Sequence, residues 1–250
     1  MNGLLGAIQF LTRVPIRLTE PPVLTRCVPW FPLTGGLIGL AVGGVVAGLA
    51  ELVPMAVAGA VAIVAGVLIT GAFHEDGLAD TADAFGGGWT REDRLRILSD
   101  PQHGSYGVAA MCSTIVVRIV CVGSLAPASA FASLVAAHTL GRSAAVGAMA
   151  TFPLASADGL GAGYAAGLSR QRAVVGVLSG TAIAALATGW WVGPLAAAAV
   201  VGAVTVGALA MRKIGGVTGD VLGAVEQVTE CLVLVVVTAL APRHPLWWRP

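Results

Sequence analysis

Seven long apolar segments dominate this 250-residue chain and limit what it can fold into. Hydrophobic residues make up 56% of the sequence and charged residues 11%, and the mean hydropathy is +0.86. Each segment is close to the roughly 20 residues that cross the hydrocarbon core of a bilayer. We therefore predict an all-α, polytopic integral membrane bundle of about seven transmembrane helices, formed as one membrane-embedded domain over residues 1–250. The predicted spans are 31–50, 54–73, 106–126, 129–150, 173–190, 192–211 and 221–241.

Two local patterns add detail to this bundle. The first predicted span carries Gly35, Gly39 and Gly43, whose spacing lets helix backbones approach closely in lipid. Ahead of it, apolar residues recur at helical spacing, with no positive residue before them and no cleavage site after them. This pattern favours an interfacial helix over a signal peptide. The apolar residues are Leu4, Ile8 and Leu11.

The positive charges are distributed unevenly between the two sides of the predicted bundle. With a cytoplasmic N-terminus, ten cations lie on the inner side and only Arg243 and Arg249 lie outside. Because positive residues concentrate in cytoplasmic loops, the chain is predicted to be a multi-pass protein of the cell (plasma) membrane with its N-terminus inside. The inner cations are Arg13, Arg17, Arg26, Arg91, Arg94, Arg96, Arg170, Arg172, Arg212 and Lys213.

An acidic segment at residues 74–83, His-Glu-Asp-Gly-Leu-Ala-Asp-Thr-Ala-Asp, follows the second predicted span on the cytoplasmic side. Asp76, Asp80 and Asp83 are spaced i, i+4, i+7, so a helix places all three carboxylates on one face. Converging carboxylates repel unless a cation lies among them, and oxygen ligands suit Mg²⁺ or Mn²⁺. The segment therefore predicts a metal site, with a solvated acidic loop as the alternative. His74, beside the acids, is a candidate functional residue.

Other polar segments lie on the same predicted inner side. They are Phe10–Pro15, Asp100–Gly107, Gly159–Gly161 and Gly215–Asp220. The last of these precedes the seventh span, where backbone N–H groups at a helix start can hold an anion such as phosphate. A plain glycine-rich turn is the alternative.

Ionisable residues within the predicted spans need a partner or a function. One interpretation pairs Arg with Glu to fix helix packing. The other makes Arg118 and Arg142 ligands of a diphosphate, because guanidinium offers a forked donor to phosphate oxygens. For His138 we expect a hydrogen-bonded interior role. The residues concerned are Arg118, His138, Arg142, Glu226 and Glu230.

The cysteines and the overall charge exclude several classes of protein. The four cysteines form no CxxC pair, so neither a zinc site nor a disulfide framework is predicted. The net charge of +1 and the lack of a basic run give no case for a nucleic-acid partner.

Several sequence blocks together resemble the cobalamin synthase family, the adenosylcobinamide-GDP ribazoletransferases. The resemblance implies a membrane enzyme that joins adenosylcobinamide-GDP to α-ribazole or its 5′-phosphate, with Mg²⁺ as cofactor and GMP as the second product. The blocks are FLTRVP, FPLTGGLIG, FHEDGLADTAD, ILSDPQHGSYG, the Gly141-Arg142 step, GLG and GGVTGDVLGA, in that order.

This chain departs from the family pattern at a few positions. Glu75 stands where an apolar residue is usual, and Ala84 stands where Gly is frequent. Residues 101–103 are Pro-Gln-His where Ser, Arg and an apolar residue are common, and Gln227 replaces a glutamate beside Glu226.

The resemblance and the residues together predict phosphoryl transfer by positioning and charge neutralisation. Asp76, Asp80 and Asp83 would hold one or two Mg²⁺ ions, and one of these carboxylates or His74 would accept the proton of the attacking hydroxyl. A cation-binding membrane transporter is the competing hypothesis, although its ligands should lie near the bilayer midplane. The acceptor form and the oligomeric state stay open. The predicted substrate-binding residues are Arg13, Asp100, Gly104, Arg118, Arg142, Thr218 and Asp220.

Overall fold

The computed structural model describes residues 2–156, 163–164 and 167–248, and this part of the chain is almost entirely helical. Its one β feature is an isolated bridge between Leu154 and Val217. The helices are α1 Asn2–Leu11, α2 Leu24–Cys27, α3 Phe31–Leu49, α4 Met55–Thr70, α5 Phe73–Gly87, α6 Arg91–Leu98, α7 Ser105–Gly123, α8 Pro127–Thr151, α9 Arg170–Thr188, α10 Val192–Ile214 and α11 Gly219–Leu240.

Each of the seven predicted spans corresponds to one long helix, which confirms the all-α membrane bundle. By length and apolar composition, four segments of the described chain qualify as spans, or five if the bent pair α4 and α5 counts as one. The number seven stays a prediction. The helix α8 has 25 residues but carries His, Arg, Ser and Thr, which lower its hydropathy. The four qualifying segments are Leu24–Leu49, Ser105–Gly123, Arg170–Ile214 and Gly219–Leu240.

The helix α8 lies at the centre of the bundle, packed against α3, α9 and α11. It is buried along most of its length, which explains why its polar residues are tolerated. The crossing of α3 over α8 depends on small residues. A Cβ atom added to Gly39 would lie 2.6 Å from the Val135 Cα atom, and one added to Gly35 would collide with the His138 carbonyl. The predicted close approach through glycine is thus confirmed.

A sharp bend of 88° separates α4 from α5 and positions the acidic segment. Gly71 and Ala72 both adopt left-handed backbone conformations, with φ of 68° and 60°. This conformation ends α4 and turns the chain, at a cost of about 1–2 kcal/mol for the non-glycine Ala72. As a result α5 packs against α7 and α11.

The short helix α6 covers this end of the bundle. It begins with a capping box, in which Thr90 and Asp93 satisfy each other's backbone N–H groups. Arg91 and Arg94 then donate hydrogen bonds to the carbonyl oxygens of Ile214 and Lys213, at 2.9 and 3.0 Å. These bonds satisfy carbonyl groups at the end of α10 and fix α6 beside that helix end.

Candidate active site

A cavity of about 490 Å³ opens where α1, α3, α5, α6, α8 and α11 meet. Its lining divides into a polar end and an aromatic end. Asp76, Asp220 and Thr218 contribute to the polar end, and the buried Arg142 and His74 also line the cavity. We call this space the α5–α11 cavity.

The acidic segment is helical, which is the condition for its aspartates to share one face, and two of its three aspartates come together. The Asp76 and Asp80 carboxylates both contact His103: Nε2 lies 3.2 Å from Asp76 Oδ1, and Nδ1 lies 3.1 Å from Asp80 Oδ1. Their potential ligand atoms all lie within 4.8 Å of one another. Asp76 is well exposed, with 61% of its side chain accessible, whereas Asp80 retains 13%.

Asp83 has different partners. Its two carboxylate oxygens accept hydrogen bonds from the backbone N–H groups of Gly104, at 2.6 Å, and Gly107, at 2.9 Å. This buried carboxylate therefore caps the N-terminus of α7, where a negative charge is favoured. Asp83 does share a helix face with Asp76, but it lies about 10 Å further along the axis. The structure does not bring it into the group formed by Asp76, Asp80 and His103.

Asp220, at the start of α11, is the third acid near the group. Gly77 permits this approach, because an added Cβ atom would lie 2.9 Å from the Asp220 carbonyl oxygen. Asp80 lies beyond the predicted span 54–73. Burial raises the pKa of its carboxyl to about 6, and the charges of Asp76 and Asp220 act in the same direction while His103 opposes them. This crowding of oxygen donors from two helices fits a hard divalent cation such as Mg²⁺ or Mn²⁺.

The glycine-rich segment before α11 forms a defined turn. Gly215 has φ of 81°, and Val217 exchanges backbone hydrogen bonds with Pro153 and Ala155 at 2.8 and 2.9 Å. The Thr218 hydroxyl accepts a hydrogen bond from the Val221 N–H at 3.3 Å and thereby caps α11. Thr218 and Gly219 also line the cavity, so the start of α11 faces the space where a phosphate is predicted.

Arg118 lies behind α5, in a buried network of charges. Its guanidinium donates to Glu75 at 2.9 Å and to Glu230 at 3.2 Å, and only 3% of the residue is exposed. Among the described residues, it does not belong to the lining of the cavity. These contacts correspond to the interpretation in which Arg and Glu pair to fix helix packing.

Arg142 pairs with glutamates, as the packing interpretation expects, and its role as a diphosphate ligand stays a prediction. It contacts Glu226 and, at 2.5 Å, Glu230, yet it also lines the cavity. Its Nε atom has no hydrogen-bond partner among the described residues. The neighbouring His74 is buried, with Nδ1 3.4 Å from the Arg142 guanidinium. His138, as expected, is an interior residue, 2.5 Å from Glu230.

The other predicted substrate-binding residues are not part of the described cavity lining. Arg13 is exposed and bonds through its backbone N–H to Ile69, with its side chain against Gly71. Asp100 is exposed and accepts a hydrogen bond from the Gln102 N–H at 3.0 Å. Gly104 donates to Asp83. The predicted segment 159–161 lies outside the described residues.

Two features of the site were not anticipated from the sequence. The first is the contact of His103 with both aspartates. The second is the aromatic end of the cavity, formed by side chains from four separate segments. No sequence pattern joins such segments, although three of them belong to the motif blocks FLTRVP, FPLTGGLIG and FHEDGLADTAD. The aromatic residues are Phe10, Phe31, Phe73 and Tyr164.

Comparison with known proteins identifies the family of this chain. A family model described as cobalamin-5-phosphate synthase matches residues 3–238. Proteins named adenosylcobinamide-GDP ribazoletransferase are similar over 93% of both chains in Ralstonia pickettii, at 36% identity, and in Ralstonia nicotianae, at 38%. The protein of the same name from Shewanella frigidimarina is 35% identical over 96% of this chain and 95% of the relative. No solved structure matches. The chain therefore belongs to the cobalamin-5-phosphate synthase family.

Proposed function

We propose that this chain transfers the adenosylcobinamide-phosphate group of adenosylcobinamide-GDP to α-ribazole or its 5′-phosphate and releases GMP. The observation that carries the proposal is the convergence of Asp76 and Asp80 beside a cavity of nucleotide size, which Asp220 also lines from α11. Relatives that match over nearly the whole chain carry the name of this activity.

A divalent cation, Mg²⁺ in our proposal, would be held by Asp76 and Asp80, with Asp220 facing them from α11. When bound, it neutralises charge on the diphosphate. The chain itself positions the reactants: the N-terminus of α11 would face the phosphates, and the Arg142 guanidinium, which Glu226 and Glu230 also contact, lines the same cavity. Asp83 would act indirectly, by holding the loop that carries His103.

In the reaction, a ribose hydroxyl oxygen of the acceptor forms a bond to the cobinamide-side phosphorus. The bond from that phosphorus to the bridging oxygen breaks, and the bridging oxygen leaves with GMP. We assign the hydroxyl proton to a carboxylate of α5 rather than to His74. The reason is that His74 is buried and its Nδ1 atom lies nearer to the Arg142 guanidinium, at 3.4 Å, than to the Glu226 carboxylate, at 3.9 Å, so a second positive charge there is disfavoured.

We further propose that the cavity faces the cytoplasm of a cell-membrane protein. The uneven distribution of cations supports this orientation, and three of the inner cations belong to α6, which borders the cavity. A single cysteine at Trp89, which is 89% exposed, should be labelled only from the cytoplasmic side, and one at Gly193 only from outside. Labelling of position 89 from outside the cell would show that the proposed orientation is wrong.

A cation transporter is a second candidate, because the break between α4 and α5 resembles the broken helices that carry ions in transporters. The two hypotheses differ in their products. An enzyme releases GMP and forms a ribazole-containing corrinoid, whereas a transporter moves a cation and leaves adenosylcobinamide-GDP intact.

The deciding experiment gives the purified protein both substrates in lipid nanodiscs, with and without Mg²⁺, and measures GMP together with the corrinoid product. Changing Asp76, Asp80 or Asp220 to Asn should each lower turnover by a factor of about 10² or more. Glu92→Gln, the same kind of change at an exposed position of α6, is the matched control and should leave turnover unchanged. If the wild-type protein forms no corrinoid product under these conditions, the proposed function is wrong.

A further inference from the structure

The aromatic end of the α5–α11 cavity is a cluster of four rings around Phe10. The Phe10 ring centroid lies 4.1 Å from that of Tyr164, 5.0 Å from that of Phe73 and 5.7 Å from that of Phe31. Phe31 and Tyr164 are buried, whereas Phe73 is 37% exposed. Phe73 is therefore more exposed than Phe31 and Tyr164, and it lines the cavity. Its ring is available for stacking with a bound planar group.

We propose that this aromatic end binds the planar base of the acceptor, α-ribazole, while the diphosphate of the donor lies at the acidic end. The inference rests on the proposed function and adds to it an acceptor site. It assigns Phe73 and its neighbouring rings to the choice of acceptor.

The size of the cavity limits which part of the substrates can enter. Cavities of about 300–1,000 Å³ enclose ligands of drug or nucleotide size. At about 490 Å³, this one accommodates a nucleoside with its phosphates. The corrin macrocycle with its side chains is much bulkier and must stay at the mouth. The adenine of the adenosyl group is bound through cobalt to the corrin and stays with it, so the planar groups left to occupy the aromatic end are the ribazole base and guanine.

The chemistry of the lining favours the ribazole base over guanine. Three of the four rings are phenylalanines, and Leu95, Leu98 and Met149 add further apolar surface to the cavity. A benzimidazole base has mostly carbon at its edge. Guanine instead presents several donors and acceptors, each of which costs about 1–3 kcal/mol if buried without a partner.

The spacing along α5 supports the same assignment. Phe73 and Asp76 are i, i+3 neighbours, so their side chains leave the helix on one face, with about 5–6 Å between Cβ atoms. This separation is comparable to that between the base and the ribose hydroxyls of a nucleoside. A base stacked on Phe73 therefore places its ribose beside the carboxylates, where the attacking hydroxyl is needed.

The test measures equilibrium binding of α-ribazole, without donor, to nanodisc-embedded wild-type protein and to Phe73→Leu. Loss of the stacking surface should weaken α-ribazole binding about tenfold, whereas binding of GMP with Mg²⁺ should change less than about twofold. Phe73→Trp, which keeps a stacking surface, should retain affinity. Phe85→Leu makes the same change on the same helix outside the cavity lining and is the matched control.

A second measurement uses the wild-type protein and does not depend on the folding of a variant. A photoreactive azido analogue of α-ribazole should label peptides that contain the rings of the aromatic end, Phe10, Phe31, Phe73 or Tyr164. The inference is overturned if the label lies elsewhere, if Phe73→Leu binds α-ribazole normally, or if it loses GMP instead. These results are separate from the product assay, so an intact acceptor site without corrinoid product would refute only the proposed function.

Discussion

Asp83→Asn is the substitution that best separates what the structure assigns to the acidic helix from what the spacing of its aspartates predicts. An asparagine keeps the size of the side chain but offers one acceptor oxygen and an NH₂ group. One of the N–H groups of Gly104 and Gly107 would then face another donor. A hydrogen bond to a charged group contributes about 1.5–3 kcal/mol, so losing one and leaving a buried N–H unpaired costs about 2–4 kcal/mol.

This cost falls on the loop between α6 and α7, because Asp83 is the residue that holds its Gly104 end. We expect turnover to fall by at least tenfold while metal affinity stays within about threefold of wild type, since Asp76, Asp80 and Asp220 are unchanged. Asp76→Asn should instead weaken metal binding directly. The assay is titration with Mn²⁺, followed by its electron paramagnetic resonance signal, in parallel with product formation.

Gly107→Ala provides an independent route to the same defect. A Cβ atom at this position would press on the Asp83 carboxylate and lie 2.7 Å from the Ala79 carbonyl oxygen. The variant should therefore match Asp83→Asn, with impaired turnover and near-normal Mn²⁺ affinity. If Asp83→Asn weakens Mn²⁺ binding as much as Asp76→Asn while Gly107→Ala does not, Asp83 is a metal ligand and the structural assignment is wrong.

Three further outcomes follow from the site and its surroundings. Arg118→Met leaves Glu75 and Glu230 without their shared partner and should lower the free energy of unfolding by about 3–5 kcal/mol. Glu75→Leu should lower it less. If thermal unfolding shows Glu75→Leu to be the less stable variant, Arg118 does not hold the two glutamates in this way. His103→Leu should lower the Mn²⁺ concentration that gives half-saturation, because the imidazole then no longer competes with the metal for Asp76 and Asp80. If half-saturation instead needs a higher Mn²⁺ concentration, His103 is a metal ligand. The pKa of Asp80 is raised to about 6, so protons compete with the metal for this carboxylate below that pH. The affinity for Mn²⁺ should therefore fall about tenfold between pH 7.5 and pH 5. An affinity that does not change over this range would argue against Asp80 as a ligand.

The helices of the bundle were predictable because apolar runs of bilayer length have few other ways to satisfy their backbone groups. The predicted segment 31–50 corresponds to α3, and 221–241 corresponds to α11. The membrane count was harder, because α8 is shielded by its neighbours and its sequence does not need to be strongly apolar. Burial inside a bundle is a tertiary property that hydropathy along the chain does not record.

The acidic site was predictable in part, for a geometric reason. Periodicity fixes the direction in which a side chain leaves a helix, so Asp76, Asp80 and Asp83 were placed on one face. It does not fix which residues of other helices lie opposite. Asp220 completes the acidic group from α11, while Asp83 meets the backbone of α7. The aromatic end depends on the same kind of long-range contact.

Glu75 illustrates how a departure from the family pattern is accommodated by the fold. On α5 it points away from the cavity and accepts from Arg118 at 2.9 Å, whereas the next residue, Asp76, is exposed on the cavity side. Arg118 already contacts Glu230, so the additional carboxylate joins an existing guanidinium instead of standing alone in the bundle. A buried charge is tolerated where a partner with free donors is at hand. The Glu75 carboxylate therefore belongs to the packing side of α5, away from Asp76 and Asp80, which contact His103.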